Sequence, residues 1–349
     1  MRLSLVIPCF NEERGLDRLR QRLTETLPGI TDDFEVLLVD DGSTDDTLGR
    51  MREITTTDPR FRYLALSRNF GKEAAMLAGL SQADGDVVGV MDADLQHPPE
   101  LLGRMIDALR EGYDQVVARR TRTGDAALRS LLSTVFYKAI NKLVEVELEN
   151  GVGDFRVLSR KAVRALLALG EYNRFSKGLF SWIGFDTAVI DYENVPRQDG
   201  ASRWSFRKLV DYGIDGVVSF NNRPLRLAIY LGILSTLVAF GYAINVLVEA
   251  IIRGNPVPGY VTIMVGVAGF GGLQLLILGV IGEYLGRIYF EAKRRPHFLV
   301  KEASGRPVPV TVPVGPELAW LERTTTSDRS GNGDQRPDID DHRPISGAV

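Results

Sequence analysis

The chain has 349 residues, more than one catalytic domain of ordinary size needs, and its 42 basic and 45 acidic residues leave a formal net charge of -3. That balance argues against a dedicated nucleic-acid binder. The single cysteine, Cys9, excludes an intrachain disulfide and fits a reducing compartment, and the scattered histidines His97, His297 and His342 have no cysteine partners at zinc spacing. The first apolar run, residues 3–7, is too short for a signal-peptide core and is interrupted by Pro8 and Asn11, so no signal peptide is expected.

Short apolar runs then alternate with longer amphipathic segments. Residues 3–7, 34–39, 61–66, 87–91 and 115–118 read as strands, and helices are expected near 15–27, 45–54, 72–81 and 99–110. This rhythm predicts an α/β domain with a mostly parallel sheet. Ligands of such sheets sit beyond the carboxyl ends of the strands, where the sequence places Asn11-Glu12-Glu13, Asp40-Asp41-Gly42-Ser43 and Asp92-Ala93-Asp94-Leu95-Gln96. The first turn lacks a Gly-x-Gly-x-x-Gly fingerprint, which disfavours a dinucleotide oxidoreductase. Asp92, Asp94 and Gln96 are three oxygen ligands at alternate positions, a set that suits Mg2+ or Mn2+ together with the phosphates of a donor substrate. Further on, a helix is expected near 126–144, and Gly153-Asp154-Phe155-Arg156 reads as a loop after it.

Two long apolar stretches follow, 227–248 and 261–282, neither containing a charge. At ~1.5 Å per residue each is long enough, as a helix, to cross a ~30 Å hydrocarbon core. Arg223 and Arg226 precede the first, and Arg287, Lys293, Arg294 and Arg295 follow the second, whereas the connecting loop carries only Arg253. The positive-inside rule then puts both termini and the catalytic domain on the cytoplasmic side of the plasma (inner) membrane. The pairs Ala268/Gly272 and Gly282/Gly286 would let helix backbones approach closely, within this hairpin or in a homo-oligomer. Before the first span, Phe206, Leu209, Val210, Gly213, Ile214 and Val217 recur at helical spacing opposite charged residues, the pattern of an interfacial helix. The organisation expected is a catalytic domain at 1–204, a connector at 205–224, a transmembrane hairpin at 225–288, a juxtamembrane segment at 289–323 and a disordered tail at 324–349.

The order and spacing of three motifs carry a family resemblance: Val6-Ile7-Pro8-Cys9-Phe10-Asn11-Glu12, Val39-Asp40-Asp41-Gly42-Ser43-Thr44-Asp45 and Asp92-Ala93-Asp94-Leu95-Gln96-His97-Pro98-Pro99-Glu100. With Arg68-Asn69-Phe70-Gly71-Lys72, Gly153-Asp154-Phe155-Arg156, Asn173-Arg174-Phe175 and Gly282-Glu283-Tyr284-Leu285-Gly286-Arg287, the chain resembles family 2 glycosyltransferases of the GT-A fold. The branch is that of the polyprenyl-phosphate enzymes, similar to GtrB-type bacterial proteins and dolichol-phosphate mannose synthases. The resemblance implies inverting transfer of a hexose from a nucleotide sugar, UDP-glucose or alternatively GDP-mannose, to a polyprenyl phosphate.

The resemblance also implies roles. Asp92, Asp94 and Gln96 match the metal and diphosphate motif, and Pro8, Phe10, Glu12, Asp40 and Asp41 match positions that hold the base and ribose, with Lys72 a further nucleotide contact. Asp154 matches the residue assigned as base and is expected to orient acceptor or sugar at least as much. Arg119, Arg129, Lys138, Arg197, Ser202 and Arg203 are the candidates for the acceptor phosphate, since guanidinium forks suit phosphate geometry. A processive polysaccharide synthase of the same fold is disfavoured by two spans and by Gln198 lying five residues from Arg203-Trp204. A non-catalytic scaffold is disfavoured by the intact Asp92, Asp94, Gln96 and Asp154.

Overall fold

In a computed structural model, which describes residues 1–121, 152–174, 176–193, 223–253, 259–305 and 308–309, the apolar runs become one eight-stranded sheet. The expected helix at 126–144, the interfacial helix within 205–224 and the tail at 324–349 lie outside the described residues. The strands are β1 (Leu3–Cys9), β2 (Phe34–Asp40), β3 (Phe61–Leu66), β4 (Val87–Val90), β5 (Gln115–Thr121), β6 (Val152–Ser159), β7 (Thr187–Glu193) and β8 (Val300–Ala303), in the spatial order β7-β5-β6-β4-β1-β2-β3-β8. The centre is parallel, β1 pairing with both β2 and β4 and β2 with β3, and β5 pairs in parallel with β7. β6 runs antiparallel to both its neighbours, and β8 runs antiparallel to β3.

The almost continuous burial of β1 and β2 follows from cover on both faces, as parallel sheets require, with the polar Ser4 and Glu35 hydrogen-bonded to each other. On one face α1 (Leu16–Thr26), α2 (Thr47–Thr57) and α4 (Leu101–Arg110) bury Leu16, Leu19, Leu23, Met51 and Met105 among others. On the other lie α3 (Lys72–Gln82), α5 (Arg160–Ala168) and α6 (Ser176–Trp182), with Met76, Leu77, Val163 and Leu179 inward. The five expected strands between residues 3 and 118 and the four expected helices between residues 15 and 110 are present, with ends shifted by a few residues where capping and ladder bonds decide.

One expectation is corrected. Gly153-Asp154-Phe155-Arg156 is not a loop: it lies inside β6, between β4 and β5. Two charges in four residues hide the strand pattern, because Arg156 is buried by tertiary contacts. Its guanidinium lies 3.4 Å from the centroid of the Phe180 ring and donates to the Gly153 carbonyl at 3.0 Å.

Two long helices follow the sheet, α7 (Arg223–Arg253) and α8 (Tyr260–Lys293), covering both apolar stretches. Large apolar side chains such as Leu237, Phe240, Leu275 and Leu278 stand exposed on them. Among the described residues, Gly269–Lys293 is long and apolar enough to cross a membrane, and Ala228–Tyr242 is a shorter apolar helix.

Beyond α8 the chain returns to the sheet. Phe298 is buried in the core of the face covered by α3, Ser67 donates its N–H to the Leu299 carbonyl at 2.9 Å, and β8 completes the edge beside β3. Within the segment that reads in sequence only as juxtamembrane, residues Val300–Ala303 are therefore a strand of the same sheet. Phe298→Ala should destabilise that domain by about 3 kcal/mol or more, as truncation of a buried Phe does. Urea unfolding of the purified chain measures it, and a loss near zero would mean that the Phe298 side chain contributes little to that core.

Candidate active site

The site is assembled from the loops at the carboxyl ends of β1, β2 and β4, from the start of α3 and from β6. The first two loops are tied together: the Asn11 N–H donates to Ser43 Oγ at 2.9 Å, the Thr44 N–H donates to Asn11 Oδ1 at 2.8 Å, and the Glu12 N–H donates to Thr47 Oγ1 at 2.9 Å. Asn11 holds the left-handed region, with φ 56°, which Asn tolerates better than most residues. Gly42 has φ 65°, and a Cβ there would stand 2.3 Å from the Arg68 carbonyl carbon, so only glycine fits where this loop meets the segment 68–71.

Asp40 and Asp41 are both buried. Asp40 Oδ1 accepts from the Ser43 N–H at 3.0 Å. Asp41 accepts from the N–H groups of Phe70 at 2.7 Å and Gly71 at 2.9 Å, which fixes the entry to α3. Burial raises the Asp41 carboxyl above the usual carboxylate range, those two N–H groups oppose the shift, and the Asp40 charge adds to it. Both oxygens of Asp41 are thus engaged by backbone.

That entry to α3 delivers Lys72. Its Nζ lies 2.5 Å from Asp92 Oδ1 and 2.6 Å from Asp154 Oδ2, joining the loop after β4 to β6. Burial alone would lower the ammonium pKa, but Asp154 and Asp92 outweigh it and raise it. Burial likewise would raise Asp154, yet Lys72, then Lys177 and Arg156, pull it down to about 2. Both groups are therefore charged throughout the neutral range.

Asp92 and Asp94 flank the buried Ala93 and are themselves half-buried, so the backbone sets both carboxylates on the side away from the core. Asp94 Oδ1 accepts from the Gln96 N–H at 3.1 Å across Leu95, which takes a left-handed φ of 56°. A β-branched or bulky residue avoids that region, and holding a leucine there marks a turn whose shape matters. Among the described residues no group of three or more His, Cys, Asp or Glu could hold an ion unaided. Two carboxylates with the Gln96 amide beside them fit a hard divalent cation that completes its shell from substrate phosphates. Behind the motif, burial keeps the His97 ring below its ordinary pKa, and it stacks on Phe155 at 5.0 Å between centroids, one residue from Asp154.

Of the residues expected to meet an acceptor phosphate, Arg119 on β5 forms a bidentate pair with Asp191 on β7, at 2.7 and 3.0 Å. Arg129, Lys138, Arg197, Ser202 and Arg203 lie outside the described residues. Pro8 stands opposite Val39 one pair before the β1 ladder ends at Cys9 and Asp40, and Phe10 and Glu12 follow, half-buried, at that strand end.

Glu73 carries only a faint signal in the sequence, a carboxylate beside Lys72 at the start of a helix whose middle is apolar. It accepts a hydrogen bond from Ser176 Oγ on α6. Burial, then the nearby Asp154, raise its carboxyl to about 7, with Lys72 opposing. A carboxyl raised on folding stabilises the protein fully below its unfolded value near 4.5 and loses that contribution as pH rises through about 7. Glu73→Gln should therefore flatten the fall in stability between those limits. Thermal midpoints from pH 4.5 to 8 measure it, and an unchanged slope would contradict the assignment.

Comparisons with known proteins agree with this layout. The family model for glycosyl transferase family 2 matches residues 4–167, and that for the GtrB C-terminal hairpin matches residues 223–288. Over 302 residues, 86% of this chain and 92% of the relative, the chain is 54% identical to CsbB of Bacillus subtilis. It is 42% identical to the glycosyltransferase sll0501 of Synechocystis, over 87% of this chain and 96% of that protein. It is 38% identical to the bactoprenol glucosyl transferase of Shigella phage SfX, over 86% of this chain and 99% of that protein. On its paired carboxylates at the sheet's edge, its two long helices and these relationships, the chain belongs to glycosyltransferase family 2, in the group that carries the GtrB C-terminal hairpin.

Proposed function

We propose that this glycosyltransferase moves a hexose, glucose from UDP-glucose, onto a polyprenyl phosphate at the cytoplasmic face of the plasma membrane, with Mg2+ or Mn2+ required. The observation that carries the reading is Lys72 bridging Asp92 and Asp154, because it unites the donor-side carboxylates and the β6 carboxylate in one site. The lipid acceptor is supported by the exposed apolar helices α7 and α8 and by relatives named for bactoprenol glucosylation. In this reading both helices span the bilayer and both termini are cytoplasmic, as the flanking basic residues require.

Pro8, Phe10, Glu12 and Asp40 hold the base and ribose, and Asp41 shapes the neighbouring loop. An oxygen of the acceptor phosphate bonds to the anomeric carbon as the bond to the diphosphate oxygen breaks, and the electron pair leaves with the nucleoside diphosphate. Configuration at that carbon inverts. The second pKa of a phosphate monoester is about 6, so the nucleophile is already ionised at neutral pH and no proton need be removed. Asp154, a weak base, serves instead to orient, holding Lys72 and the sugar or acceptor in register. Asp92 and Asp94, with Gln96, would hold a divalent ion, which when bound would supply charge neutralisation for the diphosphate leaving group. Arg119, Arg129, Lys138, Arg197, Ser202 and Arg203 are assigned to the acceptor side.

The test is a panel of labelled nucleotide sugars, GDP-mannose included, with polyprenyl phosphate and Mn2+ in detergent or liposomes. The expected product is a lipid-linked glucose from UDP-glucose that EDTA abolishes. Product only from GDP-mannose would reassign the donor, and none from any donor would refute the transferase.

A further inference from the structure

Lys177 is a cation that the reaction as described leaves without a task. It sits in the first turn of α6, half-buried, and its charge is one of those acting on the Asp154 carboxylate. Its place is fixed from two sides. Ser176, immediately before it, donates to Glu73, the neighbour of Lys72 on α3. Phe180, one turn later, packs beneath the guanidinium of Arg156, two residues from Asp154 on β6. Ser176 and Phe180 are themselves buried, so α6 is seated by its inner face while Lys177, displaced about 100° around a helix of ~3.6 residues per turn, is directed away from that face.

The charge balance gives this cation a use. Asp92, Asp94 and Asp154 crowd the site with three carboxylates, and Lys72 is already bonded to two of them. A divalent ion at Asp92 and Asp94 would neutralise those two charges, but a phosphate-bearing substrate beside Asp154 still meets a carboxylate that shares Lys72 with Asp92. Arg156 does not serve, since its guanidinium is buried against Phe180 and Gly153.

We propose that Lys177 binds a phosphate oxygen of a substrate beside Asp154, as a second active-site cation next to Lys72. The assignment rests on the proposed transfer reaction. Its chemistry is shared by two sources, the diphosphate of the nucleotide sugar and the monophosphate of the lipid acceptor, which the experiment separates.

Wild-type, Lys177→Ala and Lys177→Arg full-length chains are compared in detergent, with thermal midpoints confirming that all three fold. Initial rates are measured against nucleotide sugar and polyprenyl phosphate varied independently. Loss of a charge-assisted hydrogen bond should raise one KM by about tenfold or more in Lys177→Ala, and Lys177→Arg should restore it to within about threefold. The substrate whose KM rises is the one bound. Binding of UDP with Mn2+, GDP with Mn2+ and farnesyl phosphate is measured calorimetrically on the same proteins, so the assignment is tested even where no transfer occurs. Absence of lipid-linked product from the wild type overturns the reaction, whereas wild-type-like KM values or wild-type-like affinities for all three probes in Lys177→Ala overturn the role of Lys177.

Discussion

Asp154→Asn is expected to lower kcat by about 100-fold or more, the range found when a positioned acid–base or orienting group is removed, while nucleotide binding changes only a few-fold. The substitution keeps the shape of the side chain, which is only 17% exposed within β6, and removes its charge. Lys72 then retains Asp92 as its one remaining carboxylate partner of the two, and the geometry at the junction of β4, α3 and β6 relaxes. The pH profile separates two explanations of the loss. With its carboxyl held at about 2, Asp154 is ionised at every working pH, so it sets no limb of the wild-type profile. The acid limb should fall near pH ~6, where the acceptor phosphate takes up a proton, and should persist in Asp154→Asn. Initial rates of lipid-linked product between pH 5 and 9 measure both effects. Activity within about threefold of wild type would remove Asp154 from the mechanism.

Asp94→Asn is expected to have a comparable effect through the metal. Asn keeps the oxygen that accepts from the Gln96 N–H, so the turn through Leu95 should survive and the domain should stay folded. What is lost is one of the two carboxylates of the motif, Asp92 and Asp94, that would hold a divalent ion beside the diphosphate. Activity should drop about 100-fold or more, with half-saturation by Mn2+ moved upward, because charge neutralisation of the leaving group contributes several kcal/mol. Titration of Mn2+ in the transfer assay, together with UDP binding in the presence and absence of EDTA, reports the change. An unaltered Mn2+ dependence would assign the ion to other ligands and leave Asp94 as a turn former. The parallel change Asp92→Asn should have a mixed effect, since Asp92 also pairs with Lys72.

These expectations show how differently the two halves of the site are written in the chain. Asp92-Ala93-Asp94-Leu95-Gln96 is visible as chemistry because its oxygens are neighbours in sequence and follow an apolar strand. Lys72 and Asp154 are 82 residues apart, and nothing local announces that the ammonium donates to the carboxylate in an ion pair at 2.6 Å. Asp41 shows the reverse case. Expected as a nucleotide contact, it also accepts from the N–H groups of Phe70 and Gly71 and so shapes the loop that presents Lys72, a link no local pattern shows. Arg119, chosen for its guanidinium, is matched by an aspartate 72 residues away on a strand that the sequence pattern does not disclose.

By itself the sequence determined the α/β architecture, the strand-end position of the acidic clusters and the two long apolar helices, because each is encoded by periodicity or composition within a short window. Tertiary structure alone decided that β6 enters the sheet antiparallel between β4 and β5, since burial of Arg156 against Phe180 overrides a charged local pattern. It alone decided that β8 returns from beyond α8 to pair with β3, and that Lys72 stands between Asp92 and Asp154. The physical reason is common to all three. Backbone pairing and charge neutralisation act between residues close in space, and their partners here are separated by long intervals of chain that no local pattern spans.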